Sequence, residues 1–125
     1  MKTININQKF SLFNEKWTPK IIGELNGQYV KLAKVEGDFV WHDHKEEDEL
    51  FLVFKGTLLM DLKQGEQVST KEVGEGEMII VPKGIQHRPR TKDGNPVFLM
   101  LFEPKSTAHT GEVIHEKTVT DLAWI

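Results

Sequence analysis

Residues 37–56 read GDFVWHDHKEEDELFLVFKG, and they contain the strongest functional signal in the chain. After the turn at the start of this stretch, residues 39–44 are predicted to form a strand. Because side chains alternate along a strand, His42 and His44 lie on one face and Asp43 lies on the other. Two imidazoles at this spacing can bind one metal ion from a single strand.

A carboxylate and a third imidazole can complete this site. Glu49 follows a charged loop and begins the next predicted strand, so its carboxylate can approach from a neighbouring strand. His87 lies far along the chain, shortly after the turn residues 82–84, and can supply another nitrogen. The predicted metal ligands are therefore His42, His44, Glu49 and His87. This set suits divalent Mn, Fe, Co, Ni or Zn and leaves one or two coordination positions open.

The spacing of these residues resembles the first motif of the cupin superfamily. In that motif a glycine precedes His-x-His, a glutamate comes after three or four further residues, and a glycine comes after six more. Here four residues separate His44 from Glu49, and six separate Glu49 from Gly56. Gly37 departs from the pattern, since four residues rather than the usual five separate it from His42.

Residues 76–91, GEMIIVPKGIQHRPRT, resemble the second cupin motif. That motif has a glycine, five residues, Pro-x-Gly, two residues and a histidine, which are matched here by Gly76, Pro82, Gly84 and His87. The asparagine that often ends the motif is replaced by Thr91. Neither this position nor the displaced first glycine binds metal in the family, so the ligand prediction stands.

The resemblance implies an architecture and a ligand set. Cupins are conical antiparallel barrels, or jelly rolls, with a metal ion inside the mouth of the barrel. We therefore expect residues 1–125 to form a single cupin domain. His42, His44, Glu49 and His87 match the metal ligands of the family residue by residue.

The rest of the chain also predicts an all-β fold with little helix. Short apolar runs are separated by turn residues every 8–12 positions, and Asn26-Gly27 is a strong signal for a two-residue hairpin. Strands are predicted at residues 20–25, 28–35, 39–44, 49–54, 57–62, 77–81, 87–91 and 97–102. Residues 10–17 and 120–124 are predicted as short helices, the second with Thr120 as its N-cap. Eight or nine short strands in 125 residues fit a small barrel or jelly roll.

Composition excludes several other classes of protein. The chain has no cysteine, which excludes a disulfide scaffold, a zinc finger and an iron–sulfur protein. Its formal net charge of −3 is a poor match to a nucleic-acid-binding protein. The longest apolar run, residues 97–102, is far shorter than the about 20 residues that span a bilayer as a helix. Since the start of the chain does not resemble a signal peptide, we expect a cytoplasmic protein with no membrane partner.

The acidic run at residues 46–49 contains more than one candidate ligand. Its first two residues are predicted to lie in a solvated turn. Asp48 sits at the shorter cupin spacing from His44, but the position of Gly56 favours Glu49. Asp48 is then expected to be a loop residue or to support one of the ligands.

Other charged and polar side chains are predicted to face away from the site. His109 and His115 lie in a polar C-terminal stretch and are expected at the surface. If His87 faces inward, strand alternation places Arg88 and Arg90 on the outer face. The predicted cavity is therefore mostly apolar and has few fixed cations.

Residues 97–102 are apolar on both faces of their predicted strand. Either the odd-numbered or the even-numbered positions line the barrel. The other face must be covered by a second sheet or by another subunit. Because cupins often pair through such sheets, we expect a homodimer.

A metal ion in an apolar cup suits a small ligand that binds it directly through oxygen, and it argues against a sugar phosphate. The leading hypothesis is a metal-dependent dioxygenase that acts on a small oxygenated metabolite, with Glu49 as the candidate catalytic residue. The alternatives are a sugar or sugar-phosphate isomerase and a non-catalytic module that binds a small molecule. The sequence leaves the substrate, the reaction and the identity of the metal open.

Overall fold

The computed structural model describes residues 1–111 and 121–125. One short helix, α1, spans Ile6–Phe10, and a 3₁₀ turn spans Lys92–Gly94. The strands of these residues are β1 (Lys20–Leu25), β2 (Gln28–Val35), β3 (Glu49–Lys55), β4 (Leu58–Gln64), β5 (Gln67–Val73), β6 (Met78–Val81), β7 (Gln86–Thr91), β8 (Val97–Pro104) and β9 (Ala123–Trp124). The all-β prediction is confirmed.

Two sheets pack face to face as a jelly roll. The larger sheet has the strand order β6-β3-β8-β2-β1-β9, and the smaller has the order β5-β4-β7. Apolar side chains from both sheets fill the space between them, including Val53, Leu58, Met60, Val97 and Leu99. Burial of this inner face against the other sheet is the main force that holds the two sheets together.

The predicted strands and turns agree with the structure where apolar residues alternate. β1 and β2 match their predictions residue for residue, and Asn26-Gly27 joins them with φ angles of 50° and 76°. The prediction missed β5, in which every residue but Val73 is exposed. Such a strand has no apolar face, so its sequence shows no alternation that reveals it.

Residues 39–44 were predicted as a strand, and the structure corrects this. The segment runs beside β7 but joins it only through isolated bridges between Asp38 and Arg90 and between His42 and His87. The backbone between these bridges is irregular, and both Phe39 and His42 are buried. The predicted alternation of side chains is nonetheless correct for the two histidines, because His42 and His44 are both buried.

Both helix predictions are wrong. The first helix ends at Phe10, where the predicted one began, and it is capped by the Asn5 side chain, which accepts a hydrogen bond from the Gln8 N–H at 2.9 Å. At the other end, Ala123–Trp124 is a strand that pairs in parallel with β1, and Thr120 lies outside the described residues. In the part of the chain that the structure describes, no helix is long and apolar enough to cross a membrane.

β8 is buried on its inner face and covered on part of its outer face. Its odd-numbered residues from Val97 to Leu101 face the barrel interior. On the outer face, Phe98 and Met100 pack into a second cluster with Phe10 and Phe13 from the N-terminal segment. We expected a sheet or another subunit to provide this cover, but the chain covers part of the face itself.

Arg88 and Arg90 lie on the outer face of β7, as predicted, and both bind Asp61 of β4. The Asp61 carboxylate accepts hydrogen bonds from Arg88 Nη2 at 2.8 Å, from Arg90 Nε at 2.9 Å and from the Thr70 hydroxyl at 2.7 Å. Burial raises the pKa of Asp61, but the hydrogen bonds from Arg90, Thr70 and Arg88 outweigh it and hold the pKa below its usual range.

This network makes the stability of the smaller sheet dependent on pH. Asp61→Asn is expected to lower the free energy of unfolding at neutral pH by about 1–2 kcal/mol, because a charged acceptor is lost. A depressed folded pKa stabilises the protein above the unfolded pKa, and the stabilisation disappears as pH falls through the folded pKa. The variant should therefore lose less stability than the wild type on acidification from about pH 5 to pH 3. Urea unfolding at both pH values measures this, with the exposed Glu66→Gln as control. Equal acid sensitivity of Asp61→Asn and wild type would contradict it.

Candidate metal centre

Two of the predicted ligands lie directly opposite each other. The His42 N–H donates to the His87 carbonyl at 3.0 Å, and the His87 N–H donates to the His42 carbonyl at 2.8 Å. This antiparallel pair places the two side chains on the same face of the sheet. Their ring centroids are 4.3 Å apart.

The turn before β7 positions the other two ligands. The Gly84 N–H donates to the His44 carbonyl at 2.7 Å, in a turn where Gly84 has a φ of 82° that favours glycine. Asp48 accepts a hydrogen bond from the Lys83 N–H at 2.9 Å. Glu49 begins β3 and pairs with Val81, the residue before the turn. The Pro-x-Gly turn of the second motif therefore contacts the backbone and side chains of the first motif, and these contacts position His44 and Glu49.

The structure brings all four predicted ligands together. His42, His44, Glu49 and His87 are all buried, and one ligand atom of each lies within 4.8 Å of the others. Glu49 Oε1 is 3.2 Å from His87 Nε2 and 3.4 Å from His44 Nε2. Ligands about 2.1 Å from one ion lie roughly 3.0–3.4 Å apart, so these separations are of the size that a shared metal requires.

Backbone carbonyls orient two of the imidazoles. His42 Nδ1 is 2.9 Å from the Val40 carbonyl, and His87 Nδ1 is 2.9 Å from the Ile85 carbonyl. A carbonyl oxygen only accepts, so each ring carries its hydrogen on Nδ1 and directs the lone pair of Nε2 into the cluster. This is the tautomer in which a histidine binds metal through Nε2.

The surroundings adjust the charge of each group. Burial is the main cause that lowers the pKa of His42 to about 4, which keeps this imidazole neutral. Burial lowers the pKa of His44, but the adjacent Glu49 carboxylate outweighs it, and the net shift is upward. For the Glu49 carboxyl, burial acts in the opposite direction and raises the pKa. Hydrogen bonds with Glu103, His44 and His87 outweigh burial and hold the pKa of Glu49 well below its usual range.

The donor set fits a divalent transition metal. Buried His44 Nε2 has no hydrogen-bond partner within residues 1–111 and 121–125. His87 Nε2 and the Glu49 carboxylate both present lone pairs at 3.2 Å, an arrangement that a cation or a proton must stabilise. Three nitrogens and one carboxylate are the ligands that Mn, Fe, Co, Ni and Zn share.

The remaining acidic residues of the loop lie outside the cluster. Glu46 is exposed, and half-buried Glu47 accepts a hydrogen bond from the Ser106 hydroxyl at 2.9 Å. Asp48 is also exposed and holds the turn rather than an ion. Of the four carboxylates in the run 46–49, only Glu49 points into the cluster.

A small cavity of about 40 Å³ adjoins the cluster, with His42 and Glu49 in its wall. The wall is mostly apolar, as predicted, and includes Trp17, Ala33, Phe39, Phe51, Leu99 and Leu101. Phe39 stacks on Trp17 at a centroid distance of 4.5 Å and meets His42 edge-on at 5.6 Å. These aromatic contacts support one side of the ligand cluster.

The cavity also contains a lysine side chain, although few fixed cations were predicted there. Lys31 Nζ donates to Glu103 Oε1 at 2.6 Å, and both residues line the cavity. Burial and the Glu49 carboxylate raise the pKa of Glu103 well above its usual range. Alternation contained part of this signal, because Glu103 follows Leu101 by two residues on β8.

His109 was expected at the surface, but it is half-buried and turns towards the cavity. The residue lines the cavity, with its ring 5.1 Å from that of Phe39. Burial lowers its pKa to about 4. It reaches the cavity from the irregular segment after β8, where no periodic pattern indicates which side chains turn inward. His115 lies outside the described residues.

Comparison with known proteins assigns the family. The model of the cupin domain family matches residues 28–103, so this chain belongs to the cupins. It is also 39% identical over 77 residues to an uncharacterized Bacillus subtilis protein, YdbB, covering 62% of this chain and 66% of that one. The match thus spans about two thirds of the length of this curated relative.

Solved structures of similar proteins support the assignment to the cupin family. A cupin-2 domain protein of Shewanella frigidimarina is 43% identical, with a TM-score of 0.75 over 82% of this chain and 94% of that chain. A Neisseria meningitidis protein is 35% identical, with a TM-score of 0.72 over 83% of this chain and all of that chain. A hydroquinone 1,2-dioxygenase of Sphingomonas shares the fold at 18% identity, with a TM-score of 0.73 over 84% of this chain and 32% of that chain.

Proposed function

We propose that this protein holds a divalent transition metal at His42, His44, Glu49 and His87 and binds a small oxygenated ligand beside it. The observation that carries the proposal is the convergence of four buried ligand atoms at the wall of a cavity. A buried cluster of this kind has a large desolvation cost unless a cation or proton is shared among its members.

Each side chain has a defined part in this proposal. A bound metal would act as a Lewis acid that orients and polarises the oxygen atoms of the ligand. Neutral His42 and ionised Glu49 are already in the protonation states that metal binding requires. The apolar wall excludes water and strengthens the electrostatic interactions inside the cavity. Glu49 is also the candidate for a catalytic role, as a proton acceptor when it is not bound to the ion.

A dioxygenase is the reaction class that we propose first. Three imidazoles and one carboxylate suit Fe(II) or Mn(II), and they would leave coordination positions for both a substrate and O₂. The hydroquinone dioxygenase similarity supports the fold only, at 18% identity. A sugar-phosphate isomerase is less favoured, because the cavity is small and its lysine, Lys31, is paired with Glu103. Arg88 and Arg90 bind Asp61 outside the barrel. A non-catalytic binding module remains the alternative from a different class.

Oxygen uptake tests the proposal. Protein reconstituted separately with Fe(II), Mn(II) and Ni(II) is mixed with small diols, diketones and enols, and O₂ consumption is followed with an electrode. We expect uptake with at least one metal–compound pair and none with Glu49→Ala protein. Thermal stabilisation by a compound without O₂ uptake for any metal would favour the binding module instead.

We also propose that the protein is a homodimer. The exposed side chains of Met78 and Ile80 lie on β6, which is at an open edge of the larger sheet, with exposed fractions of 58% and 53%. Large exposed apolar side chains on an edge strand favour association with another chain. A second copy of the same face is the simplest complement, since most soluble oligomers are symmetric.

Substitution of a single residue tests this interface. Ile80→Lys is expected to convert a dimer into a monomer, because a charge would be desolvated at the interface. Val68→Lys is the matched control, since Val68 is equally exposed, at 56%, but lies on β5 in the other sheet. Sedimentation velocity measures the mass of each. A monomeric wild type, or a dimeric Ile80→Lys, would contradict the proposed dimer.

A further inference from the structure

A groove of about 520 Å³ lies on the outer face of the larger sheet, on the opposite side of β8 from the metal-ligand candidates. It runs between that face and the N-terminal segment, and its wall includes Phe10, Lys34, Phe54, Lys55 and Phe98. Apolar cavities of about 150 Å³ hold a benzene molecule. The groove is therefore large enough for an aromatic ring, whereas the cavity beside the ligand cluster, at about 40 Å³, is far smaller.

Two lysines flank one aromatic ring across the strands of this outer face. β8 lies between β2 and β3, and Phe98 on β8 is paired with Lys34 on β2 and with Lys55 on β3. Lys34 Nζ is 4.7 Å from the centroid of the Phe98 ring, and Lys55 Nζ is 5.2 Å from it. The two ammonium groups are therefore held close to the same ring.

The charges of these lysines are not balanced by a carboxylate. Among residues 1–111 and 121–125, neither Lys34 nor Lys55 forms an ion pair. Burial, followed by the positive charges of Lys16 and Lys55, lowers the pKa of Lys34, which is only 7% exposed. Glu15 acts in the opposite direction, but it is exposed and already pairs with Lys20 at 3.5 Å. The groove is therefore a region of positive charge in a protein whose net charge is −3.

The Lys34 ammonium group also has unused hydrogen-bond donors. It donates to the Phe13 carbonyl at 2.7 Å, and this bond attaches the N-terminal segment to the sheet. An ammonium group has three N–H donors, and the described part of the chain provides no second acceptor for them. Attachment of the N-terminal segment does not account for Lys55, whose exposed side chain lies over the Phe98 ring.

Three phenylalanines give the groove an apolar surface next to the two charges. The Phe10 ring stacks on the Phe98 ring at a centroid distance of 5.1 Å and meets the Phe54 ring edge-on at 5.8 Å. Phe54 remains 37% exposed. A ligand that matches this surface has an apolar body, and a ligand that matches the lysines carries a negative charge.

We propose that this groove is a second binding site, which takes a small organic carboxylate with an aromatic body. The carboxylate accepts hydrogen bonds from the ammonium groups of Lys34 and Lys55 on either side of Phe98. The aromatic body packs against Phe10 and Phe54. Such a ligand removes apolar surface from water and balances two charges at once, which neither an inorganic anion nor a neutral arene does.

Phenylacetate is the probe for this site, and phenylacetamide and acetate are its matched comparisons. The amide keeps the ring but has no charge, and acetate keeps the charge but has no ring. Each compound is titrated into ¹⁵N-labelled protein, and two-dimensional NMR spectra give the dissociation constant and the amide signals that shift. Phenylacetate is expected to bind about tenfold more tightly than either comparison compound and to shift the signals of Lys34, Lys55 and Phe98.

Substitutions at the groove are expected to change the affinity in opposite directions. Lys55→Met removes one of the two positive charges and should weaken phenylacetate binding about fivefold. Glu75→Gln removes an acidic side chain from the groove wall and should strengthen binding about twofold. Lys71→Met is the matched control, since Lys71 is an exposed lysine on β5 in the other sheet, and it should leave the affinity unchanged. Lys34 is kept, because its loss would also deprive the Phe13 carbonyl of its donor.

The inference does not depend on the metal centre, so phenylacetate should bind with the same affinity to Zn(II)-loaded and metal-free protein. Absence of phenylacetate binding overturns it, and so does an equal affinity for either comparison compound. Signals that shift only around His42 and His87 would place the carboxylate at the ligand cluster and would likewise rule out the groove. An unchanged affinity in Lys55→Met would show that the lysines only support the N-terminal segment.

Discussion

His87→Ala is expected to lower the affinity for a divalent metal by more than the about 10–100-fold that the loss of a supporting residue costs. His87 is fully buried, its Nδ1 is held by the Ile85 carbonyl, and its Nε2 lies 3.2 Å from Glu49 Oε1. Backbone pairing with His42 fixes the position of His87, so the variant leaves a gap in the ligand cluster at that point. Elemental analysis of protein reconstituted with Zn(II) or Co(II) and then dialysed gives the metal content.

His109→Ala is the matched control for this prediction. His109 is another imidazole in the wall of the same cavity, but it is not part of the four-residue cluster. The His109→Ala variant should therefore retain the metal content of the wild type. Equal metal in His87→Ala and His109→Ala would show that the cluster is not the metal site.

Chelation gives an independent readout of the same site. A metal at about 100 times its dissociation constant stabilises the folded protein by about 2.7 kcal/mol. A chelator should therefore lower the melting temperature of the metal-loaded wild type and leave that of His87→Ala unchanged. An unchanged melting temperature in the wild type, together with no bound metal, would refute the metal centre.

Gly56→Ala is expected to lower the free energy of unfolding by about 2–4 kcal/mol. Gly56 turns the chain between β3 and β4 with a φ of 85°, a conformation that is costly for a residue with a Cβ. A Cβ atom there would also lie 2.5 Å from the Pro96 carbonyl oxygen and 3.0 Å from Val97 Cγ2. Because Val97 is a buried core residue, neither contact can relax without displacing the start of β8. Urea denaturation measures the change.

The variant Gly27→Ala separates the cost of the backbone conformation from the cost of the close contacts with Pro96 and Val97. Gly27 has a similar φ of 76°, but no atom lies within 4 Å of the position that its Cβ would occupy. Its substitution should cost only the backbone contribution, about 1–2 kcal/mol. If Gly56→Ala were no more destabilising than Gly27→Ala, the close approach to Pro96 and Val97 would not be a constraint on this turn.

The ligand cluster is the part of the site that could be predicted from the sequence. His42 and His44 share a face because they are two residues apart, and this holds even where the backbone is too irregular to be a regular strand. The Pro82–Gly84 turn needs particular backbone angles, and turn residues record such requirements in the sequence. Local geometry therefore placed the imidazoles correctly relative to their neighbours.

Lys31, Glu103 and His109 could not be placed in the same way. Lysines occur on both faces of β2, and the face with Lys31 is inside while the face with Lys34 is covered by the N-terminal segment. Alternation states that Lys31 and Lys34 lie on opposite faces, but it does not state which face is buried. His109 is in an irregular segment, where no periodicity applies.

By itself the sequence determined the all-β class, the principal hairpin and the identity of the four clustered side chains, since these depend on alternation, turn chemistry and spacing along the chain. Only the tertiary structure decided which face of β8 lines the barrel, how the N-terminal segment covers the other face, and that a lysine–glutamate pair lies beside the cluster. These features depend on contacts between segments far apart in the chain. Burial of one strand face is settled by what packs against it, and that information is absent from any single segment.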